Sequence, residues 1–280
     1  MIPFQDFGGD GPLLHFAHAN GYPPRAYLPL IETLTPRYHV CSMLFRPLWA
    51  GAPTSPGDIN NWGPFVDDLF RFFEERGDAG QGVIGAGHSL GAMVTLAAAL
   101  CRPELFRAVV LLDPVLFGRR LLFLWGLFQK LGLARQVHPL VGATLRRRRM
   151  FDSVEAMFNH YRRVPIFSRI DDAGLRAYVE AMAQPRSDGQ VELAYSPEWE
   201  VRVYETGYFN LWNELKNLRP PLLVVWGRES DTFRPPVARK LQAVVPNAVI
   251  HGFEGAGHLV PLEKPGEVGA VIQSFLERVI

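Results

Sequence analysis

Three residues of this sequence have the types and the chain order that nucleophilic catalysis needs. Ser89 occupies the centre of a G-H-S-L-G pentapeptide, Asp231 ends a loop that begins with W-G, and His258 follows an A-G dipeptide. A serine hydroxyl is a weak nucleophile at neutral pH, so it needs a general base, and the base needs an acid that orients it. The order serine, aspartate, histidine is one in which such groups recur. The pattern therefore predicts Ser89 as the nucleophile, His258 as the base and Asp231 as the acid.

The neighbours of Ser89 favour a sharp turn between a strand and a helix. Residues 82–87 form a short run of small and apolar residues typical of a buried strand, and residues 90–100 form an alanine-rich helical segment. The glycines on either side of the turn would let neighbouring chains approach without a Cβ clash. A plain glycine-rich turn with Ser89 as the helix N-cap explains the same pentapeptide. The acid and the base at later strand ends favour the catalytic interpretation.

Four motifs of the sequence resemble those of the α/β-hydrolase superfamily. They are the G-H-S-L-G pentapeptide, the loop from W-G to Asp231, the G-H dipeptide that ends at His258, and H-A-N-G at residues 18–21. The resemblance implies acyl transfer through an acyl-enzyme on Ser89 without a metal or an organic cofactor. Haloalkane dehalogenases and epoxide hydrolases of this fold have aspartate at the nucleophile position. The resemblance therefore also implies that this chain, with serine there, performs neither reaction.

The resemblance further implies two backbone donors for an oxyanion hole. The first is the N–H group of Leu90, at the start of the helix after the nucleophile. The second follows the first strand, where H-A-N-G departs from the family's usual H-G-x-P. It is the N–H of Asn20, or that of Tyr22 if the motif is aligned two residues later. Asn20 fits the length of the preceding strand better.

A second aspartate competes with Asp231 for the role of acid. Asp113 follows the apolar run 108–112, and some relatives place the acid after that earlier strand. Asp113 precedes a proline and also reads as a structural turn, whereas Asp231 has a glycine-rich loop and a family-like spacing to His258. These features favour Asp231, so we expect Asp231→Asn to cost orders of magnitude in rate and Asp113→Asn much less.

Strand and helix signals alternate along both ends of the chain, which predicts an α/β fold. The expected architecture is a doubly wound, mostly parallel sheet, the α/β-hydrolase fold, built from residues 1–114 and 216–280. Strand signals fade between them, so residues 115–215 are predicted to form a helical cap inserted into the core. Because few residues precede the first central strand, the antiparallel edge strands that often open this fold are expected to be truncated or missing.

The predicted cap carries an apolar run at residues 121–128, for which three interpretations stay open. The run lines an apolar pocket, or docks the cap onto the sheet, or, less favoured, forms a membrane-surface patch. The candidate pocket residues are aromatic: Trp125, Phe128, Tyr208, Phe209 and Trp212. Helix-spaced aromatics are also common in cores. The four arginines at 146–149 read mainly as solvated side chains, with anion binding as the alternative.

Composition excludes several classes of function. The formal net charge is +1 over 280 residues, so no global field attracts nucleic acid or an anionic membrane. Two cysteines without a C-x-x-C motif argue against a disulfide scaffold and a structural zinc site, and the remaining histidines have no metal-ligand spacing. The N-terminus lacks a signal-peptide pattern and no stretch of eighteen apolar residues occurs, so we expect no membrane span and a cytoplasmic location.

Taken with the resemblance, these observations predict a capped serine hydrolase that cleaves a carboxylic ester or related carbonyl compound. The expected substrate is a small molecule, apolar and uncharged. Carbon–carbon bond hydrolases, thioesterases, lactonases and perhydrolases share the same catalytic groups and remain alternatives. A ligand receptor that keeps the groups without turnover is an alternative of another class. Because His258 must be neutral to act, activity should fall as the pH drops through about 6.5.

Overall fold

Alternating strands and helices build the structure, a computed structural model that describes residues 1–51, 56–57, 59–80, 82–207 and 210–280. The strands are β1 (Phe4–Gly8), β2 (Leu13–Ala17), β3 (His39–Met43), β4 (Val83–His88), β5 (Phe106–Leu112), β6 (Met150–Phe151), β7 (Ala183–Pro185), β8 (Val191–Leu193), β9 (Leu222–Gly227) and β10 (Val249–Phe253). The α-helices are α1 (Leu28–Leu34), α2 (Gly63–Arg76), α3 (Leu90–Cys101), α4 (Arg119–Lys130), α5 (Ala134–Val137), α6 (Val141–Leu145), α7 (Val154–Tyr161), α8 (Asp172–Met182), α9 (Pro197–Thr206), α10 (Pro235–Val244), α11 (Val260–Glu263) and α12 (Pro265–Val279).

The core of the molecule is a seven-stranded sheet with the order β1-β3-β2-β4-β5-β9-β10. Every neighbouring pair is parallel except β1 with β3. Strands β4 and β9 are buried along their whole length, and β5 is buried apart from Arg107. Such continuous burial is what a parallel sheet covered by helices on both faces requires. The predicted mostly parallel α/β sheet is confirmed.

The N-terminal edge of the sheet is a single short strand. Strand β1 pairs antiparallel with β3, with Phe4 opposite Met43 and Asp6 opposite Cys41. One antiparallel edge strand of five residues is therefore present, which is compatible with the expected truncation of such strands. Its residues are only partly buried, so they lack the continuous apolar run by which the central strands are recognised.

A long insertion, residues 115–215, separates β5 from β9 and is called the insertion below. It contains helices α4 to α9 and a small antiparallel sheet with the order β6-β8-β7. This small sheet was not predicted, because strands of two or three residues are too short to show alternation of apolar and polar residues. Across the ranges that the structure describes, no helix has both the length and the apolarity needed to cross a bilayer.

Candidate active site

The carboxyl ends of three parallel strands bring the candidate catalytic residues to one edge of the sheet. Ser89 follows β4, Asp113 follows β5, and His258 lies in the loop after β10. In open α/β sheets this edge is where ligands bind, because the loops that leave the strands converge there.

Ser89 adopts a strained backbone that turns its side chain out of the sheet. Its φ of +53° and ψ of −114° lie in a region that residues other than glycine rarely occupy. The flanking glycines make the turn possible. A Cβ on Gly87 would lie 2.5 Å from the carbonyl of Gly91, and a Cβ on Gly91 would lie 2.0 Å from the carbonyl oxygen of Ala17. The close approach predicted from the pentapeptide is therefore present.

A hydrogen-bonded relay joins Ser89, His258 and Asp113. The distance from Ser89 Oγ to His258 Nε2 is 3.0 Å, and that from His258 Nδ1 to Asp113 Oδ1 is 2.8 Å. Because a carboxylate only accepts, Nδ1 carries the proton of the neutral imidazole and Nε2 accepts from the serine hydroxyl. This arrangement can remove the proton of Ser89 as its oxygen attacks a carbonyl.

Asp113 is fully buried and its carboxylate is satisfied by three donors. Besides His258 Nδ1, Oδ1 accepts from the hydroxyl of Ser230 at 2.7 Å, and Oδ2 accepts from the N–H of Gly227 at 3.0 Å. A buried carboxylate with this many donors is held in one orientation. The φ of +38° at Asp113 is the second positive value at a residue other than glycine among the described residues.

The prediction that Asp231 partners the imidazole does not hold in the structure. Asp231 is exposed, and its Oδ1 accepts a hydrogen bond from Thr232 at 3.3 Å. The inward position of the loop after β9 is taken by Ser230, whose hydroxyl donates to Asp113. Asp231 is displaced outward because one buried carboxylate, with Ser230 as its donor, already fills the space beside Nδ1 of His258.

Electrostatics raise the pKa of His258 above its ordinary value. Burial of the ring by itself lowers this pKa, but the hydrogen bond and the negative charge of Asp113 more than offset the effect of burial. The charges of Asp231 and Glu263 raise the pKa further. Asp231 therefore acts on the imidazole from a distance rather than through contact.

The loop that carries His258 is held by two contacts that the sequence did not indicate. Glu263 accepts a hydrogen bond from the N–H of Gly257 at 2.7 Å. A Cβ on Gly227 would lie 2.2 Å from the carbonyl oxygen of Gly257, so this loop and the end of β9 touch through backbone alone. These contacts fix the direction from which the imidazole approaches Ser89.

The loop after β2 lies against the start of α3, where an oxyanion would be bound. The N–H of Tyr22 donates to the carbonyl of Ala19 at 3.2 Å, so this group is already used. Among the described residues, the N–H groups of Asn20 and Leu90 have no such partner. The geometry therefore favours Asn20 over Tyr22 as the candidate second donor beside Leu90.

Side-chain contacts fix the backbone of Asn20. Its amide nitrogen donates to the carbonyl of Glu200 at 3.0 Å, and its Oδ1 accepts from the hydroxyl of Tyr195 at 2.8 Å. Two residues earlier in the chain, the ring of His18 makes two hydrogen bonds. Its Nδ1 donates to the carbonyl of Ala19 at 2.9 Å, and its Nε2 accepts from the N–H of Phe45 at 3.0 Å. Burial lowers the pKa of His18 to about 4, so the ring is neutral and can play both roles.

A buried link between two of these loops runs through Tyr27 and His88. The hydroxyl of Tyr27 accepts from the N–H of Ala19 at 3.2 Å and lies 2.7 Å from His88 Nδ1. His88 Nε2 lies 2.9 Å from the carbonyl oxygen of His258. Since a carbonyl only accepts, Nε2 donates and Nδ1 accepts from Tyr27. Burial, followed by the nearby His258, lowers the pKa of His88 well below its ordinary value, which keeps this tautomer neutral.

Aromatic side chains near the relay differ from those predicted to line a pocket. The ring of Tyr22 lies 6.4 Å from that of His88, 6.4 Å from Phe167 and 5.1 Å from Tyr178. The insertion thus approaches the site through Phe167 and Tyr178, a position that their spacing along the chain does not predict. Helical periodicity identifies a buried face but not the surface against which that face packs.

Three of the five predicted pocket residues lie within the described ranges. Trp125 packs its ring 5.4 Å from that of His138 within the insertion. Trp212 donates to the carbonyl of Phe117 at 2.7 Å, and the ammonium group of Lys240 lies 3.8 Å from its ring centroid. Phe128 is half-buried on α4. Tyr208 and Phe209 lie outside the described residues.

Two of the four consecutive arginines are paired with glutamates of α9. Arg147 bonds Glu200 at 2.8 Å, and Arg149 bonds Glu198 at 2.6 Å. The run is therefore partly structural. Within the described ranges, no group of three or more His, Cys, Asp or Glu side chains could hold a metal ion.

Comparison with known proteins places this geometry in a family. A model described as Alpha/beta hydrolase family matches residues 16–271. The uncharacterized hydrolase YugF of Bacillus subtilis (strain 168) is 28% identical over 198 residues, which are 68% of this chain and 64% of that protein. The (E)-2-((N-methylformamido)methylene)succinate hydrolase of Acinetobacter baylyi is 23% identical over 271 residues, 96% of this chain and 92% of that protein.

Two solved structures share the fold over nearly the whole chain. The crystal structure of E-2-(acetamidomethylene)succinate hydrolase has a TM-score of 0.79 at 20% identity, covering 98% of this chain and 94% of that one. A thioesterase domain from the curacin biosynthetic pathway has a TM-score of 0.72 at 18% identity, covering 96% and 94%. With its match over residues 16–271 and its mostly parallel seven-stranded sheet, this chain belongs to the alpha/beta hydrolase family.

Proposed function

We propose that this protein is a serine hydrolase that cleaves a carboxylic ester or a related carbonyl compound through an acyl-enzyme on Ser89. The observation that carries the proposal is the relay in which Ser89 Oγ lies 3.0 Å from His258 Nε2 and Asp113 Oδ1 lies 2.8 Å from His258 Nδ1. These distances fall within hydrogen-bond reach for a nucleophile, its base and an orienting acid.

In the proposed reaction the proton of Ser89 passes to His258 Nε2 while the serine oxygen attacks the substrate carbonyl. The negative charge on the carbonyl oxygen is stabilised by the N–H groups of Leu90 and Asn20, and Asp113 stabilises the imidazolium. The leaving group takes the proton from Nε2 as its bond to the carbonyl carbon breaks. Water then gives a proton to Nε2, attacks the acyl-enzyme, and releases the acid while Ser89 recovers its proton.

The insertion supports the proposal of a cap over this site. Phe167 and Tyr178 of the insertion contact Tyr22, which follows the candidate oxyanion residue Asn20. Aromatic surface of this kind favours an apolar acyl group, as in most small-molecule pockets. The proposed substrate is therefore a small to medium-sized, uncharged carbonyl compound.

The location that we propose is the cytoplasm. Cys41 and Cys101 are both free thiols in the structure, the first buried and the second exposed. An exposed free cysteine is more common in a reducing compartment than in an oxidising one.

Three of the similar proteins have names that state an activity, and they support testing more than one bond type. Two are hydrolases of substituted methylenesuccinates and one is a thioesterase domain. Ester, thioester and amide-like substrates share the same acyl-enzyme chemistry, so the groups of the relay do not distinguish them.

Turnover of a substrate panel tests the proposal. The panel contains p-nitrophenyl esters of increasing acyl length and the matching N-acetylcysteamine thioesters. We expect steady multiple turnover of at least one series, lost by about 10⁴-fold or more in Ser89→Ala. The matched control is Ser274→Ala, which removes an exposed hydroxyl on α12 and should leave the rate unchanged. Ligand binding without turnover would instead favour a receptor and contradict the proposal.

A further inference from the structure

One segment of the insertion differs in charge from the rest of the chain. Residues 114–151 contain eight lysines and arginines and no aspartate or glutamate. Because the whole chain has a net charge of only +1, the remaining residues are net negative. Positive charge is therefore concentrated in this segment of the sequence.

The same segment exposes a concentration of large apolar side chains. Of the thirteen exposed large hydrophobic side chains among the described residues, eight lie between positions 121 and 140. Phe123 is 74% exposed and Leu131 is 60% exposed, and Leu121, Leu124 and Leu127 are each exposed by more than two fifths. Single exposed apolar residues are common on protein surfaces, but a contiguous group indicates an interaction surface. We call these residues, with Leu133, Val137 and Leu140, the apolar face.

Packing within the protein does not account for the apolar face. On α4, only Leu122 and Trp125 point inward and are buried. The helical period places Phe123, Leu124 and Leu127 on the opposite side, toward solvent. The run at 121–128 therefore packs one side of the helix against the interior, and in the described parts of the chain the other side is exposed.

Basic residues flank the apolar face in the sequence, and several form no ion pair within the described residues. Arg147 and Arg149 are paired with glutamates, and Arg135 lies 3.5 Å from Glu205. In the part of the chain that the structure describes, no ion pair is formed by Arg119, Arg120, Lys130 or Arg146, all of which are exposed. Exposed apolar side chains next to basic side chains are typical of amphipathic surfaces that bind anionic lipid.

We infer that the apolar face docks this protein on the surface of an anionic lipid bilayer. Phe123, Leu127 and Leu131 enter the boundary between headgroups and acyl chains, while Arg120 and Lys130 contact lipid phosphates. The protein is held at the surface without crossing the bilayer. This inference does not depend on the proposed chemistry at Ser89.

Charge argues for a lipid surface over a second copy of the chain. Two copies meeting through this face about a two-fold axis would bring the same basic residues together, and like charges oppose association. An anionic bilayer offers apolar depth and negative charge over an extended plane, which matches both features of the face. Each basic residue near such a surface changes partitioning by about fivefold.

Sedimentation with vesicles tests the inference on the full chain. One set of vesicles contains phosphatidylcholine alone, and the other contains equal parts of phosphatidylcholine and phosphatidylglycerol. We expect the protein to sediment with the anionic vesicles, to bind neutral ones far less, and to be released by added salt. Absence of binding to anionic vesicles at low ionic strength would overturn the inference.

Paired variants identify the surface responsible. Phe123→Ser with Leu127→Ser should reduce binding by about tenfold or more, and Arg120→Gln with Lys130→Gln should reduce it by about fivefold per residue. The matched controls are Ile166→Ser with Val249→Ser, which remove exposed apolar side chains elsewhere, and Arg278→Gln, which removes an exposed charge on α12. Each variant is first compared with the wild type by thermal melting, since the altered residues are exposed and should leave the fold intact.

Two results would contradict the assignment. Binding by Phe123→Ser with Leu127→Ser as tight as that of the wild type would show that another surface contacts the lipid. The wild type could instead form a dimer in sedimentation velocity and fail to bind vesicles, while this double variant is a monomer. That result would show that the face contacts a second copy of the chain.

Discussion

At the residue scale, the carboxylate of Asp113 dominates the electrostatics of the site. It has no exposed surface, and it accepts hydrogen bonds from His258, Ser230 and Gly227. Two acids were available from the sequence, at the ends of two strands that are neighbours in the sheet. Spacing along the chain cannot tell which of the two points inward, because that depends on how Ser230 packs beneath the loop.

The first prediction concerns this pair of acids. Asp113→Asn should lower kcat by about 10⁴-fold, because an amide cannot stabilise the imidazolium and favours the wrong tautomer. Steady-state kinetics on the best ester substrate provide the measurement. Asp231→Asn is the matched control and should keep kcat within a few-fold, since Asp231 makes no contact with the ring. A large loss in Asp231→Asn with a small loss in Asp113→Asn would restore the assignment favoured by the sequence.

The second prediction concerns pH. His258 acts as a base only when neutral, and its pKa is raised because Asp113 outweighs the opposing effect of burial. The protonated, inactive form therefore persists to higher pH than for a free histidine, and kcat/KM should fall as the pH drops through a midpoint above about 6.5.

Asp231→Asn provides the sign test for this pH dependence. Removing a negative charge that raises the pKa of His258 should move the midpoint of the kcat/KM profile to lower pH. A midpoint below that of free histidine in the wild type, or an upward shift in the variant, would contradict this description of the site.

The third prediction concerns Tyr27 as a positioning residue. Tyr27→Phe leaves the N–H of Ala19 without an acceptor and His88 Nδ1 without a donor, and so loosens the loops that hold Asn20 and His258. We expect kcat to fall by about tenfold, less than the 10²–10³ that follows loss of an oxyanion donor, with KM nearly unchanged. Tyr38→Phe, at a buried tyrosine before β3, is the control. If Tyr27→Phe lowers the stability but keeps the wild-type kcat, Tyr27 has a structural role and does not position the catalytic groups.

At the element scale, the contact between the start of α3 and the loop after β2 assembles the site. Helix α3 is buried almost throughout, and Gly91 in its first turn lies against the backbone of Ala17 and His18. This contact brings the N–H of Leu90 and the Asn20 loop to the same place. Any side chain at position 91 would push the two apart.

The fourth prediction follows from this contact. Gly91→Ala places a Cβ 2.0 Å from the carbonyl oxygen of Ala17, so it should destabilise the protein by about 1–3 kcal/mol and lower kcat. Gly126→Ala on α4 is the matched control, because nothing lies within 4 Å of its Cβ position. That change should stabilise the fold by about 1 kcal/mol, the helix preference for alanine over glycine. Thermal melting and kinetics measure both, and equal behaviour of the two variants would refute the packing argument.

Across the whole molecule, the sequence largely predicted the sheet and the helical character of residues 115–215, but not the small sheet or the packing within that insertion. Buried parallel strands such as β4, β5 and β9 read as apolar runs closed by glycine or aspartate, so their places and the G-H-S-L-G turn follow from local signals. The link through Tyr27 and His88 joins residues 61 positions apart, which no local pattern encodes. The short strands β6 to β8 and the outward side of α4 likewise depend on tertiary packing.

The candidate active site and the exposed side of α4 are formed by different parts of the chain. The sheet supplies Ser89, Asp113 and His258 from its strand ends, and the insertion approaches them with Phe167 and Tyr178 while α4 lies exposed. We therefore expect the proposed chemistry and the proposed lipid attachment to be altered independently. Variants on α4 should leave turnover in solution unchanged, and variants of the relay should leave vesicle binding unchanged.

The most direct measurement is the mapping of a covalent adduct after treatment with a fluorophosphonate. The relay predicts one adduct per chain, carried by the peptide that contains Ser89 in mass spectrometry, abolished in Ser89→Ala and slowed by orders of magnitude in His258→Ala. Modification of a different residue, or labelling of Ser89 at the same rate without the imidazole, would contradict the assignment of Ser89 as a nucleophile activated by His258.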